Sequence, residues 1–168
     1  DLTLVAGAQY SYVFEKCLFM PAQLTAGFEY TYNDLDDHSL SFDRSIKPEV
    51  HTGGVFIQNE WRNEKVNFVI GGRLDKHNMM DDVIFSPRAN LRYSPIEEVG
   101  LRLSYSSGYR APQAFDEDLH IDAVNNQSSI VVLSPDLKPE YSHSFSGSVA
   151  LYHNFGRLQG NLLIEGFY

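Results

Sequence analysis

The chain has 168 residues, a formal net charge of −9 and a single cysteine. The acidic balance excludes a nucleic-acid partner, and Cys17 alone supplies neither a disulfide framework nor a metal set and reads as a turn residue. Ten tyrosines and eleven phenylalanines exclude a disordered chain and call for rings that are buried or laid at an interface.

The length suits one domain. In chain order, strand-like segments run over Thr3–Phe14, Gln23–Tyr32, Thr52–Arg62, Lys65–Asp75, Phe85–Ser94, Val99–Gly108, Tyr141–His153 and Arg157–Phe167. Each is about ten residues long, enough to cross a bilayer as a tilted strand and longer than a typical soluble strand. No helical period of useful length appears, and no apolar run of about 18 residues marks a transmembrane helix. Asp1 opens directly into the first strand, so no signal peptide is present. An exported protein needs one, and on that reading the chain is a fragment of something longer.

The connections alternate in length. Short ones fall at Glu15 to Ala22, Asn63-Glu64, Pro95 to Glu98 and Phe155-Gly156; long ones at Asn33 to His51, Lys76 to Ile84 and Tyr109 to Glu140. Short turns at one rim and long loops at the other are the layout of outer-membrane barrels. A two-residue hairpin at Asn63-Glu64 predicts Arg62 opposite Lys65 and Glu60 opposite Asn67.

The two faces of the strands differ sharply. One parity holds Leu4, Ala6, Ala8, Tyr10 and Tyr12, then Leu24, Ala26, Phe28 and Tyr30, then Val55, Ile57, Asn59 and Trp61. It continues through Phe68, Ile70 and Leu74, Leu91 and Tyr93, Leu101, Leu103 and Tyr105, Phe145, Val149 and Leu151, and Leu162 and Ile164. No Asp, Glu, Lys or Arg falls on it. The other parity collects Glu29, Glu60, Arg62, Arg73, Arg88, Arg92, Arg102 and Glu165. Tyr10, Tyr12, Trp61 and Tyr93 are expected near the short-turn rim, and Tyr30 and Tyr105 toward the long-loop rim, as two aromatic girdles. The fold class that fits is all-β: an antiparallel up-and-down transmembrane β-barrel, of which this is a piece of about eight strands. A soluble β-sandwich, with the apolar faces packed on one another, produces the same alternation and is the competing architecture.

No catalytic residue is assigned. The histidines are scattered without zinc-type spacing, and no GxSxG, Walker A, HExxH or dinucleotide fingerprint occurs. No cofactor is implied. Gly53-Gly54 and Gly71-Gly72 lie inside strands and mark close packing or curvature. Asp116, Glu117, Asp118, His120 and Asp122 form an acidic loop that reads as solvated, with oxygen ligation of a divalent cation as the sharper alternative. Arg73, Arg88, Arg92 and Arg102 come from successive strands and point one way. In a barrel they line the lumen, pairing with lumen acids such as Asp75 or with carboxylates of a plug, in preference to touching substrate. Pro112 cannot donate a ladder hydrogen bond and helps to end the strand beyond Tyr109 and Arg110.

These residues also carry a resemblance. Ser106 to His120, read as SxGYRAPxxFDEDLH, is similar to a signature of TonB-dependent outer-membrane receptors, especially those of Bacteroidetes-like bacteria. The stretches SPRANLRYSP (Ser86 to Pro95), LKPEYSHSF (Leu137 to Phe145), GGVFIQNEW and GGRLDKHN fit the same family. The resemblance implies one partial barrel over residues 1–168, cut from a wall of about 22 strands with a plugged lumen. The plug domain and the TonB box are absent from it. It implies active uptake of a ferric siderophore, cobalamin or an oligosaccharide across the bacterial outer membrane, with energy from TonB and no enzymatic activity. The partners it implies are the protein's own plug, TonB through that plug, outer-membrane lipid and lipopolysaccharide, the small-molecule chelate or glycan, and a surface lipoprotein. Tyr109, Arg110, Phe115, Asp116, Glu117, Asp118 and His120 would sit in an extracellular substrate-binding loop. Two other functions compete: a small stand-alone outer-membrane barrel, and a soluble sandwich binding module.

Overall fold

A computed structural model of the chain describes residues 2–34, 37–39, 44–46, 49–112, 138–156 and 158–168. Valine, threonine, tyrosine and phenylalanine at alternate positions give ten strands: β1 (Leu2–Cys17), β2 (Met20–Asp34), β3 (Asp37–Ser39), β4 (Arg44–Ile46), β5 (Glu49–Arg62), β6 (Val66–His77), β7 (Val83–Ile96), β8 (Val99–Arg110), β9 (Glu140–Phe155) and β10 (Leu158–Phe167). All eight expected strands are present. The short β3–β4 ribbon lies within the first expected long loop.

The eight long strands form a single antiparallel sheet in the order β1-β2-β5-β6-β7-β8-β9-β10. This overturns the sandwich alternative, because among the described residues no second sheet covers the apolar face. The closed eight-stranded barrel is not formed either: β1 pairs only with β2, and β10 only with β9. The protein is an open wall with two long free edges.

The register keeps one parity on one face across the whole wall. A single row runs Phe14, Ala22, Trp61, Phe68, Leu91, Leu103, Gly147 and Gly166. Beyond it the short turns retreat. β5–β6 pairing ends at Arg62 and Asn67, one residue past the row, β7–β8 runs on to Ile96 and Val99, and β9–β10 further still to Phe155 and Leu158. On the opposite side the ladders shorten in the same direction, from Asp34–Glu49 to Lys76–Val83 to Arg110–Glu140. A stagger of this sense is the shear that tilted barrel strands require.

The apolar face is bare. Phe28 is 56% exposed, Ile57 55%, Leu103 60% and Ile164 60%, with apolar neighbours exposed on every strand between them. A patch of this extent on one sheet face is a surface for lipid. At the short-turn edge Trp61 stacks between Phe19 and Phe68, with ring centroids 5.7 and 5.6 Å away, and its Nε1 donates to the Cys17 carbonyl at 3.0 Å. Tyr93 lies opposite Val66, near the β5–β6 turn. Tyr10, expected near that rim, instead sits mid-strand opposite Ala26, because β1 runs on to Cys17. At the other edge, Tyr30 Oη bonds His51 Nδ1 at 2.7 Å and Tyr105 Oη bonds His143 Nδ1 at 3.1 Å.

The turns differ from expectation in two places. The first hairpin closes at Leu18-Phe19, tighter than Glu15 to Ala22, with Leu18 in the left-handed region at φ 63°. The β5–β6 hairpin pairs Arg62 with Asn67 and Glu60 with Val69, two residues away from the expected register. Asn63 causes the shift. Its Oδ1 accepts from the amides of Lys65 and Val66 at 2.9 and 2.7 Å, and its own amide donates to the Val66 carbonyl. That Asx-type turn uses more chain than a two-residue loop. A slip of two keeps every side chain on its face, so the polarity of the wall survives. The Arg62–Lys65 repulsion is avoided, and Glu60 accepts from Asn67 Nδ2 at 2.7 Å instead.

One residue breaks the apolar face. Asn59 lies between Leu24 and Ile70, and its Nδ2 is buried without a hydrogen-bond partner. An unsatisfied buried amide costs about 1–3 kcal/mol. Asn59→Leu is therefore expected to raise the unfolding temperature of the detergent-solubilised protein, by a stabilisation on the order of 1 kcal/mol. An unchanged or lower unfolding temperature in calorimetry would contradict this.

Candidate functional site

The charged face is built in two unlike halves. In the half toward the long loops, Glu29 on β2, Gly54 on β5 and Asp75 on β6 share one row. Arg73, on β6, donates from Nε to Asp75 Oδ1 at 2.6 Å and from Nη2 to Glu29 Oε1 at 3.1 Å. The guanidinium therefore spans β5 to reach β2. Gly54 makes that possible: a Cβ there would collide with Asp75 Oδ1 and Arg73 Nη2. Asp75 is 3% exposed, so its charge needs this partner. The sequence had Asp75 as a partner for Arg73 but not Glu29, which lies two strands away.

Arg88 is also satisfied within the wall, donating from Nη2 to Gln58 Oε1. Arg92 and Arg102, in the half toward the short turns, are different. They lie directly opposite each other across β7–β8. Among the described residues neither has an ion pair or hydrogen bond. Asn67, beside Arg92, gives its amide to Glu60.

At the long-loop rim the β7–β8 ladder starts only at Arg88 and Ser106, although β7 continues to pair with β6 as far as Val83. Pro87 stands at that fork and has no N–H to offer β8. The fork is filled by Met80, Ile84 and Ala111, with Tyr109 packed against them. Lys76 takes the outward position one pleat above Leu74 and caps the Met80 and Asp81 carbonyls at 2.8 and 2.6 Å, so here the strand has left the apolar belt. Beyond it, buried His77 accepts the Met79 amide on Nδ1 at 3.1 Å. Burial pushes the His77 pKa below the ordinary histidine value. Burial likewise raises the Tyr109 phenol, helped by the nearby Asp75 carboxylate.

Of the expected loop residues, Tyr109 is half-buried in this fork and Arg110 ends β8 opposite Glu140. Phe115, Asp116, Glu117, Asp118 and His120 lie outside the described residues. So does Asp122 of the same acidic loop. Among the described residues no group of His, Cys, Asp or Glu is arranged to hold a metal ion. Among the described residues no helix is long and apolar enough to cross a membrane, which says nothing of strands.

Residues 2–168 match the family model for the TonB dependent receptor-like β-barrel. No curated protein matches the sequence. Among solved structures, the chain is similar to a mutant of the ferric enterobactin receptor PfeA from Pseudomonas aeruginosa, at 20% identity and a TM-score of 0.67 over 96% of this chain and 26% of that one. It is similar to the siderophore receptor PirA from the same organism at 16% identity and a TM-score of 0.67, over 90% of this chain and 30% of that one. It is similar to P. aeruginosa FpvA bound to a heterologous pyoverdine at 13% identity and a TM-score of 0.62, over 98% and 24%. The chain thus spans about a quarter of the receptors it matches.

Gly54→Ala is expected to destabilise the wall by on the order of 2 kcal/mol, because it breaks a partly buried ion pair. Gly53→Ala, with nothing within 4 Å of the added Cβ, is expected to be near neutral. Paired thermal unfolding of the two variants checks this, and equal effects would remove the role given to Gly54. A second expectation concerns pH. The folded His77 binds its proton less readily than the unfolded one, so its contribution is full above the ordinary histidine value near 6.5 and falls as pH drops through that value toward the lower folded one. Protonation also costs the Met79 amide its acceptor. Amide exchange in residues 78–82 is expected to speed up between pH 7.5 and 5 beyond the intrinsic change, and to lose that excess in His77→Gln.

Proposed function

The chain belongs to the TonB-dependent receptor β-barrel family, and from that premise we propose that it forms part of the wall of an outer-membrane receptor importing a ferric siderophore with energy from TonB. Members of the family lie in the outer membrane and are receptors, not enzymes. The observation that carries the reading is the wall itself: one face bare and apolar through a belt on every strand, the other collecting the charge of that belt, with a barrel's stagger between them.

A siderophore is favoured over cobalamin or an oligosaccharide because the solved proteins sharing this fold are described as siderophore receptors. The wall closes with further strands at β1 and β10 around a plug, and the plug makes the contact with TonB. Lipopolysaccharide and phospholipid cover the apolar face, with the Tyr30–His51 and Tyr105–His143 pairs at its outer margin. A surface lipoprotein partner goes with the glycan alternative. Arg73 and Arg88 brace the wall from within the lumen. Tyr109 and Arg110 lead into the outer vestibule, where Phe115, Asp116, Glu117, Asp118 and His120 are proposed to approach substrate.

The test is radiolabelled iron uptake by the native host under iron limitation, with the gene for the full protein intact, deleted, or intact in a strain lacking TonB. Uptake of one siderophore class that fails in both deletions supports the reading. Unchanged iron uptake together with lost growth on cobalamin or a glycan would replace the substrate and leave the receptor.

A further inference from the structure

We infer that residues 77–82 form a clasp across a seam in the outer rim, so that the entry of β5 and the exit of β8 open as one unit. The seam is the fork at Pro87. Below it β7 and β8 pair from Arg88–Ser106 to Tyr93–Leu101. Above it, among the described residues, β7 pairs only with β6, as far as Val83, and β8 only with β9, as far as Arg110 and Glu140. The rim is thereby split into two panels, β1-β2-β5-β6-β7 and β8-β9-β10. Pro87 has no N–H with which to close the split.

The turn between β6 and β7 reaches both panels. The β5–β6 ladder ends at Thr52–His77, yet Asn78 carries it further. Its backbone amide donates to the His51 carbonyl at 3.0 Å, its Oδ1 accepts from the His51 amide at 3.0 Å, and its Nδ2 donates to the Glu49 carbonyl at 2.8 Å. A primary amide offers the same acceptor and donor as a peptide group, so this side chain stands in for one more strand residue. Two residues on, Met80 lies in the seam with Ala111 and Ile84, and Tyr109 packs against them. The chain between these two grips is braced. Buried His77 accepts the Met79 amide on Nδ1 at 3.1 Å and the Met80 amide on its carbonyl at 3.2 Å. Lys76 Nζ holds the carbonyls of Met80 and Asp81.

Grips at the two ends of a braced turn are released together. If Asn78 lets go of β5, the turn loses the anchor that keeps Met80 in the seam. Emptying the seam loosens the turn from which Asn78 reaches β5. Coupling of this kind is reciprocal, and a segment held by a small core and rim hydrogen bonds opens as one local unit. The chain entering β5 at Glu49 and the chain leaving β8 at Ala111 therefore start from a common footing, although they belong to different panels.

The experiment measures amide exchange by mass spectrometry on the full-length protein in detergent, with folding of each variant confirmed by heat-modifiable migration in gels. Asn78→Ala is expected to speed exchange in residues 49–52 by roughly fivefold, as loss of an ordinary hydrogen bond does, and across the seam in residues 109–111 by about twofold or more. Met80→Ala is expected to reverse the order, with the larger change in 109–111 and the smaller in 49–52. Residues 146–153, on β9 away from the seam, are expected to be unchanged in both. Asn78→Asp keeps the acceptor for the His51 amide and loses the donor to Glu49. It is expected to fall between wild type and Asn78→Ala, and it carries the comparison should Asn78→Ala not fold. Exchange that rises only on the substituted side of the seam, in folded variants of both residues, would overturn the inference. So would an equal rise in 146–153, which marks a general loosening of the wall.

Discussion

A backbone amide or carbonyl left unpaired in hydrocarbon costs several kcal/mol, and the wall is arranged around that cost. Its ladders run without a gap through the apolar belt. Among the described residues, register breaks occur only between Phe14 and Cys17 and between Tyr93 and Ile96, both at the short-turn margin. The one place where two neighbouring strands part is the fork at Pro87, at the opposite margin, and there Met80, Ile84, Ala111 and Tyr109 fill the space. The same cost bears on β1 and β10. Each presents an unpaired edge along its whole length, and an edge of that kind is a template for pairing with a further strand.

Once the backbone is committed to the sheet, the period of two sorts the side chains. The apolar parity can hold rings and branched aliphatics without regard to neighbours, since lipid makes no directional demand. The charged parity is more exacting where it is buried, because an ion out of reach of water needs a partner beside it. Arg73 meets that demand by crossing over Gly54 to Glu29. A glycine in a strand usually weakens it; here the missing Cβ is what lets one arginine bind two carboxylates.

This division explains what was legible from sequence. The strands, their faces and the alternation of short and long connections depend on local period and turn composition, and all were readable. The ends were not. Leu18 takes a left-handed conformation that glycine or asparagine would have signalled, and Asn63 resets its hairpin through its side chain, not through a standard loop length. The Glu29–Arg73 contact was hidden for another reason: it joins residues on non-adjacent strands and needs the pairing order and the register before it can be seen. A search for a glycine flanked in its row by opposite charges would have found it, but only after the sheet was drawn.

The two halves of the charged face carry different obligations. Toward the long loops the ions close on one another, and the fork at Pro87 carries its own small core, so this part of the wall keeps its shape whatever occupies the lumen. Toward the short turns two arginines oppose each other with nothing between them. The asymmetry follows exposure: Asp75 is 3% exposed and needs its partner, whereas Arg92 and Arg102 are exposed and water screens their repulsion. Burial, more than the sign of the charge, decides where on this face an ion needs a partner of its own.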